Sequence, residues 1–277
     1  MDKKLFTQNA EFQRLVVLKT NRYKRHKNRA FFVEGVRNIN NAIAHGWHIE
    51  SLVYSGERVL SDWAKQTLNA VHSDVNYVLT NALMEALSGK ADTSELVAVV
   101  QMHTDEVSRL TLSDVPLLAL FDRPSNHGNL GTIIRSCDGL GVDGLILTGH
   151  AADLYDPEVI AASMGSFFKV PTIRATDNPA LFRYIDGLRE RYDGFQLVGT
   201  TAHKEKNVFD ADFTRPTMLL VGNETDGLSR AYKDACDMLV TIPMAADSTA
   251  SSFNVGCAAT VLFYEARRQR EACICKG

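Results

Sequence analysis

Six short apolar runs, separated by segments of helical periodicity, fill the second half of the chain and constrain its fold more than any other feature. The first, "LLALFD" at 117–122, has no polar alternation. A strand with one wet face alternates, so an unbroken apolar strand has both faces covered, as in a parallel sheet flanked by helices. "GLILTG", "KVPTIRA", "FQLVGTT", "TMLLVGN" and "MLVTIPM" follow it. Interspersed are the helical segments "NLGTIIRSCDGL", with Ile133, Ile134, Cys137 and Leu140 toward the sheet, "DPEVIAASMGSFF", with Pro157 in its first turn, and "PALFRYIDGLRERY". A long helix, "FNVGCAATVLFYEARRQR", closes the series. The pattern predicts an α/β layer structure.

The first third has the same character on a smaller scale. "NAEFQRLVVL" has helical spacing, "AFFVEG" reads as a strand ended by Gly35, and "VRNINNAIAHG" as a helix closed by Gly46. "HIESLVYS", "VNYVLT" and "ELVAVVQM" read as strands around the helices "SDWAKQTLNAV" and "NALMEALSG". The polar stretch "HTDEVSRLTLSDVP" then ends in Pro116. The expected organisation is an α/β domain over 1–103, a linker over 104–116 and a second domain over 117–277, each large enough for its own core.

"GLGVDG", Gly139–Gly144, matches the G-x-G-x-x-G spacing of a dinucleotide-binding turn. That turn must follow a strand and open a helix, where free N–H groups meet the pyrophosphate. Here it follows a helix and precedes a strand, so Gly139 and Gly141 end the helix and Gly144 begins the strand. A nicotinamide or flavin enzyme is disfavoured by this element order.

No run approaches the ~18–20 apolar residues of a membrane span, and "MDKKLFTQNAEF" lacks the apolar core of a secretory signal. Cys137, Cys236, Cys257, Cys273 and Cys275 form no paired framework, which points to a reducing cytoplasm. Cys273 and Cys275 have no nearby His, and no metal is expected. The net charge is −3, yet residues 1–33 hold nine Lys/Arg against two acids, a net of +7 that leaves −10 for the remainder. Lys19, Arg22, Lys24, Arg25, Lys27 and Arg29 share "KTNRYKRHKNR" with Tyr23 and His26 and no acid. This reads as a basic loop suited to a phosphate backbone, against the alternative of a merely solvated loop.

Three loops after strands of the second domain carry polar and glycine residues that packing does not require: "DRPSNHGNLGTIIRS", "NETDGLS" and "AADSTASSFNVG". At the carboxyl ends of parallel strands such loops build a ligand crevice. Singly, Asn129 and Asn254 also read as helix N-caps and Asn223-Glu224 as an ordinary turn. Arg135, on an apolar helix face, is harder to dismiss, because arginine is seldom buried unpaired.

Together and in this order the segments resemble the SpoU/TrmH branch of the SPOUT RNA methyltransferases. "NLGTIIR" matches the first motif, with Asn129, Gly131 and Arg135; "LLVGNETDGLS" the second, with Gly222, Asn223, Glu224, Gly227 and Leu228. "IPMAADSTASSFNVGCAA" matches the third, with Ile242, Pro243, Met244, Ser252, Asn254 and Ala258; Phe253 stands where the family usually has Leu. "RYKRHKNRAFFVEGVRNINNAI" and "LSGKADTSELVAVV" are similar to the opening and close of the ribosomal-protein-L30e-like substrate-binding domain.

The resemblance implies an L30e-like domain followed by a SPOUT domain with a parallel sheet and a deep trefoil knot. It implies S-adenosylmethionine as cofactor, held by Gly222, Asn223, Glu224, Ile242, Met244, Ser252, Phe253 and Asn254. The implied reaction is methyl transfer to a ribose 2′-hydroxyl of RNA, with 23S rRNA favoured by the appended domain and tRNA as the alternative. Arg135 is then the catalytic arginine, oriented with the ribose by Asn129 and Asn254. Glu224 fixes the loop or pairs with Arg135, and Ser252 places the methionine end of the cofactor. A homodimer through the second domain is implied, for which Val255, Ala258, Ala259, Leu262, Phe263 and Ala266 of the last helix are apolar candidates. A non-catalytic RNA-binding protein has no use for Asn129, Arg135, Glu224 and Asn254 together, and a base methyltransferase remains the other rival.

Overall fold

The computed structural model describes residues 2–89, 92–203 and 205–274; Lys90 and Ala91 of "LSGKADTSELVAVV", and Cys275, lie outside the described residues. In chain order the elements are β1 Asp2–Leu5, α1 Ala10–Thr20, α2 Arg22–Asn28, β2 Ala30–Glu34, α3 Val36–Ala44, β3 Ile49–Ser55, α4 Asp62–Ala70, β4 Val75–Leu79, α5 Asn81–Ser88 and β5 Leu96–Gln101. Then follow β6 Leu117–Asp122, α6 His127–Leu140, β7 Gly144–Thr148, α7 Pro157–Ser163, β8 Thr172–Ala175, α8 Asn178–Arg191, β9 Gln196–Thr200, β10 Lys206–Asn207, β11 Thr217–Val221, α9 Arg230–Ala235, β12 Met238–Thr241 and α10 Val255–Ile274. The chain divides into two compact units: one runs to His103 and includes Asp153–Lys169, the other takes Thr104–Ala152 and the chain from Val170 onward.

The first unit is built on a five-stranded mixed sheet in the order β1-β4-β3-β5-β2. Its core gathers Phe12, Leu15 and Leu18 of α1, Leu83 and Leu87 of α5, and strand residues such as Phe32, Val53 and Val97. "DKKL", to which the sequence pattern assigns no element, is an edge strand in parallel register with β4, Leu5 opposite Leu79.

The basic stretch 19–29 is not the loop expected of it: it comprises the end of α1 and the whole of α2. The Asn21 side chain accepts from the Lys24 N–H and starts α2, and Arg29, at φ 51°, stops it. Arg25 points inward and is 2% exposed. Its Nε donates to Asp153 Oδ2 at 2.8 Å, its Nη2 to Asp156 Oδ2 at 2.8 Å, and its Nη1 to the carbonyls of Leu18 and Lys19 at 3.2 and 2.8 Å. Trp47 donates its indole N–H to the Phe168 carbonyl at 2.8 Å, within an aromatic group containing Phe31, Tyr155 and Phe167. These contacts explain why Asp153–Lys169 packs in this unit although it lies within 117–277. The helix expected over "DPEVIAASMGSFF" stops at Ser163, because Met164 and Gly165 take left-handed conformations, φ 53° and 97°.

Burial alone raises the Asp153 carboxyl pKa, but the hydrogen bond from His26 and the Arg25 guanidinium outweigh it and bring it down from 3.8 to about 2. A value depressed in the folded state stabilises the fold above the ordinary carboxylate range and ceases to do so as pH falls through the folded value. Unfolding experiments on the wild type should therefore show a loss on the order of 2 kcal/mol between about pH 4 and 2. Asp153→Asn should lack that component; identical acid sensitivity in the two proteins would contradict it.

The second unit holds a seven-stranded sheet in the order β10-β12-β9-β11-β6-β7-β8, and every pairing in it is parallel. The continuous apolar strands are buried on both faces, as "LLALFD" requires: all six of its residues are buried. From β6 the chain adds β7 and β8 on one side, then crosses to place β9, β11 and β12 on the other. Such a reversal opens a crevice at the carboxyl ends of the strands. Gly141, at φ 73°, ends α6 with Gly139 in its last turn, and Gly144 opens β7, the element order that excludes a dinucleotide turn.

α10 packs along α6, where Ser136 and Thr260 hydroxyls meet at 2.6 Å. Its far end is pinned by Arg270, which donates to the carbonyls of Phe213, Val115, Pro116 and Arg215. Ala259, Leu262, Phe263 and Ala266, read as candidates for a subunit contact, are buried inside this unit instead. Among the described residues, the large apolar side chains that α10 leaves exposed are Val261 and Tyr264.

Candidate functional site

The three polar loops converge in the second unit. A cavity of about 900 Å³ opens at the carboxyl ends of β9, β11 and β12, and its walls include Gly222, Asn223, Glu224, Ile242, Met244, Ser252 and Phe253. Seven of the eight residues assigned to the cofactor from the sequence thus surround one space. The eighth, Asn254, is exposed beside it and is not part of the wall.

Gly222 is obligatory here. A Cβ on it would lie 2.2 Å from both the Gly227 carbonyl carbon and the Leu228 nitrogen. The turn it precedes folds tightly back, with Asn223 N–H donating to Gly227 O and Gly227 N–H to Asn223 O, each at 3.0 Å. Asn223 Oδ1 accepts from the Thr225 and Asp226 N–H groups inside the turn.

The turn presents Glu224 to the loop after β6. Its carboxylate accepts from Ser125 N–H at 3.0 Å, Ser125 Oγ at 2.8 Å, Asn126 N–H at 3.1 Å and Asn129 Nδ2 at 3.3 Å. Partial burial raises its pKa, but the bonds from Ser125 and Asn129 more than compensate and hold it below the ordinary value. A carboxylate so occupied is an anchor and a poor proton acceptor at neutral pH. Among the described residues it forms no ion pair with Arg135.

Asn129 passes the network onward, its Oδ1 accepting from Asn254 Nδ2 at 3.0 Å. Asn254 Oδ1 in turn accepts from the Gly256 N–H at 2.9 Å and caps α10. Asn254 is therefore both a cap and a member of the site, whereas the cap of α6 is Asn126. Glu224, Asn129 and Asn254, one from each motif, form a single hydrogen-bonded chain.

Arg135 stands less than two turns beyond Asn129 and corrects two expectations. It is exposed, and among the described residues its guanidinium has no partner. Asn129 bonds Glu224 and Asn254, and among the described residues neither asparagine bonds the guanidinium. Of the six Lys/Arg residues in 19–29, Arg25 is committed to the acids that hold it, and Lys19 donates to the carbonyls of Leu87 and Ser88. Arg22, Lys24, Lys27 and Arg29 are exposed, as is Tyr23 at 69%.

Several wall residues carry no motif signal. Thr200, Thr201 and Thr241 line the cavity at the ends of β9 and β12. Asp122 and Arg123, which are not part of the wall, bond the 223–229 turn at Asn223, Gly227 and Ser229. An aspartate ending an apolar strand, in "LLALFDR", was the available signal for the last pair.

The profile of the SpoU rRNA Methylase family matches residues 116–264, and that of the SpoU L30e-like domain matches residues 9–98. A 23S rRNA (uridine(2479)-2′-O)-methyltransferase of Streptomyces viridochromogenes is 44% identical over 97% of this chain and 93% of its own. The crystal structure of a SpoU methyltransferase from that organism, in complex with AdoMet, superposes with a TM-score of 0.87 at 43% identity, covering 95% of this chain and all of that one. An AdoMet-bound rRNA methyltransferase from Sinorhizobium meliloti gives a TM-score of 0.84 at 26% identity over 96% of this chain and 98% of its own.

Proposed function

The chain belongs to the SpoU rRNA methylase family, and on that premise we propose that it transfers a methyl group from S-adenosylmethionine to a ribose 2′-hydroxyl of 23S rRNA. The observation that carries this reading is the joining of all three motifs by the Glu224–Asn129–Asn254 chain at the edge of one cavity. The cavity fits the cofactor. Its volume of about 900 Å³ lies within the usual range of ligand sites, and its wall mixes apolar Ile242, Met244 and Leu262 with the hydroxyls of Thr200 and Thr241. The missing Cβ of Gly222 lets the turn close against the strand end that forms this wall.

The bound cofactor supplies an electrophilic methyl group, so the protein's task is to orient a weakly acidic hydroxyl and manage its charge. Arg135 is assigned to the RNA. A guanidinium stays protonated, so it holds the target phosphate and stabilises the developing alkoxide, while the hydroxyl proton passes to solvent water. Asn129 and Asn254 fix the approach of the ribose, Ser252 the methionine end, and Glu224 the loop after β6 that leads to Asn129. Phe253 lines the cavity and is exposed. The C-terminal part of the second unit is read as the knotted segment of the family. Homodimerisation is assigned to the same unit, with exposed Val261 and Tyr264 supporting it. No helix among the described residues is long and apolar enough to cross a membrane, and the setting proposed is the cytoplasm.

The first unit is assigned to RNA capture through the exposed bases of α2 and Arg29. Lys24→Ala/Lys27→Ala should weaken RNA binding and flatten the log–log salt dependence by roughly one to two units, at ~0.7–0.9 per phosphate. S-adenosylmethionine affinity should not change. Wild-type RNA affinity and salt slope in this double variant would remove the helix from the RNA site. To separate the substrate classes, the protein is incubated with labelled S-adenosylmethionine and either 23S rRNA or bulk tRNA. Incorporation into 23S rRNA alone is expected, and incorporation into tRNA alone would overturn the substrate assignment.

A further inference from the structure

Beneath the cavity wall, Arg123 adopts a backbone conformation that L side chains rarely take, φ 52°. Strain of this kind persists where the surroundings over-determine it, and here they do. The Arg123 guanidinium donates from Nε and Nη2 to Asp122 Oδ2 at 3.2 and 3.1 Å, and from Nη2 to the Gly227 carbonyl at 3.0 Å. The Arg123 carbonyl accepts from Asn223 Nδ2 at 2.7 Å. Asp122, 1% exposed, accepts further from the Ser229 N–H at 2.8 Å and the Thr148 hydroxyl at 2.9 Å. The left-handed turn is what sends the side chain toward Gly227. Gly149 clears its path, since a Cβ there would lie 2.5 Å from Arg123 Cγ. The strand end therefore grips the 223–229 turn at its beginning, near its end and at its last residue, while Glu224 ties the same turn to Ser125 and Asn126.

We propose that Arg123, acting with Asp122, is a positioning residue for methyl transfer that holds the 223–229 turn in the shape closing the cofactor cavity. It touches neither reacting atom; it acts through Gly227 and Asn223, which line the wall. The proposal rests on the cavity being the S-adenosylmethionine site. A charge-assisted bond to a carbonyl that shapes a binding wall is worth about a tenfold change in affinity when lost.

The test is calorimetric titration of S-adenosylmethionine into the full-length wild type, Arg123→Gly and Arg123→Lys, with thermal unfolding of each. Arg123→Gly accepts the left-handed backbone and removes the side-chain bonds to Gly227 and Asp122, so thermal unfolding reads the lost Asp122 pairing separately from the grip. Its Kd and KM for S-adenosylmethionine should rise about tenfold while kcat at saturating cofactor, and KM for RNA, stay near wild type. Arg123→Lys, keeping one charged donor without the fork, should fall between. Wild-type cofactor affinity in Arg123→Gly would overturn the proposal, and so would an affinity loss that vanishes at temperatures where both proteins are fully folded. Should Arg123→Gly fail to fold, Arg123→Lys decides alone: a raised Kd supports the grip and an unchanged one overturns it. A wild type that binds no S-adenosylmethionine would instead bring down the cavity reading, and this proposal with it.

Discussion

Arg135→Ala is expected to slow methyl transfer by about 10²–10³-fold, the loss typical of removing a group that meets developing charge, with cofactor affinity and thermal stability unchanged. The separation follows from the geometry. Arg135 is exposed, has no partner among the described residues and is not part of the cavity wall. Its removal therefore breaks no internal contact and leaves no buried group unsatisfied. Arg135→Lys should rescue poorly, because an ammonium is a point charge and lacks the planar fork that a phosphate engages through two parallel bonds. Single-turnover kinetics with cofactor-saturated enzyme in excess over RNA, run beside calorimetry for the cofactor, give both readouts. A variant that keeps most of its single-turnover rate would remove Arg135 from the chemistry.

Arg25→Ala should instead destabilise the protein, by about 3–5 kcal/mol, because removing one partner of a buried ion pair leaves the other charge uncompensated. Asp153, 3% exposed, would keep its hydrogen bond with His26 but lose its guanidinium partner, and the carbonyls of Leu18 and Lys19 would lose their donor. Denaturant unfolding should show the loss. In the fraction that remains folded, the salt dependence of RNA binding should match that of the wild type, since Arg25 faces away from solvent. Unchanged stability together with weakened, less salt-sensitive RNA binding would place Arg25 among the phosphate contacts after all.

The contrast between these two arginines shows what the sequence discloses. Both sit among residues that suggest the opposite of what the structure gives: Arg135 in an apolar helix face yet exposed, Arg25 in a basic run yet buried. The run 19–29 contains no acid, so composition makes every base in it look free. The acids that claim Arg25 are Asp153 and Asp156, more than a hundred residues away in sequence, and no local pattern reports such a partner. The same distance hides the membership of Asp153–Lys169 in the first unit. Arg135 is misjudged because periodicity places Ile134 and Cys137 on the buried side but cannot resolve the edge of that face.

What was legible was legible for physical reasons. Parallel strands buried on both faces must be continuously apolar, so "LLALFD" and "TMLLVG" announce the sheet. A ligand crevice at strand ends needs glycines and polar side chains that the core has no use for, so the three motifs stand out against it. The helical state of α2 escaped because a seven-residue segment with four Lys/Arg offers no amphipathic stripe to read, and Asn21 as its cap becomes evident only once the helix is known. Arg123 escaped because its left-handed conformation is a property of the turn and has no counterpart in residue type.

The account is tested most directly by locating the transferred methyl group. After reaction of the full-length protein with isotopically labelled S-adenosylmethionine and 23S rRNA, nuclease digestion to nucleosides and mass spectrometry distinguish a methylated ribose from a methylated base. The account predicts label on the ribose 2′-oxygen of one nucleotide, abolished in Arg135→Ala. Label on a base, or equal transfer by wild type and Arg135→Ala, would contradict it.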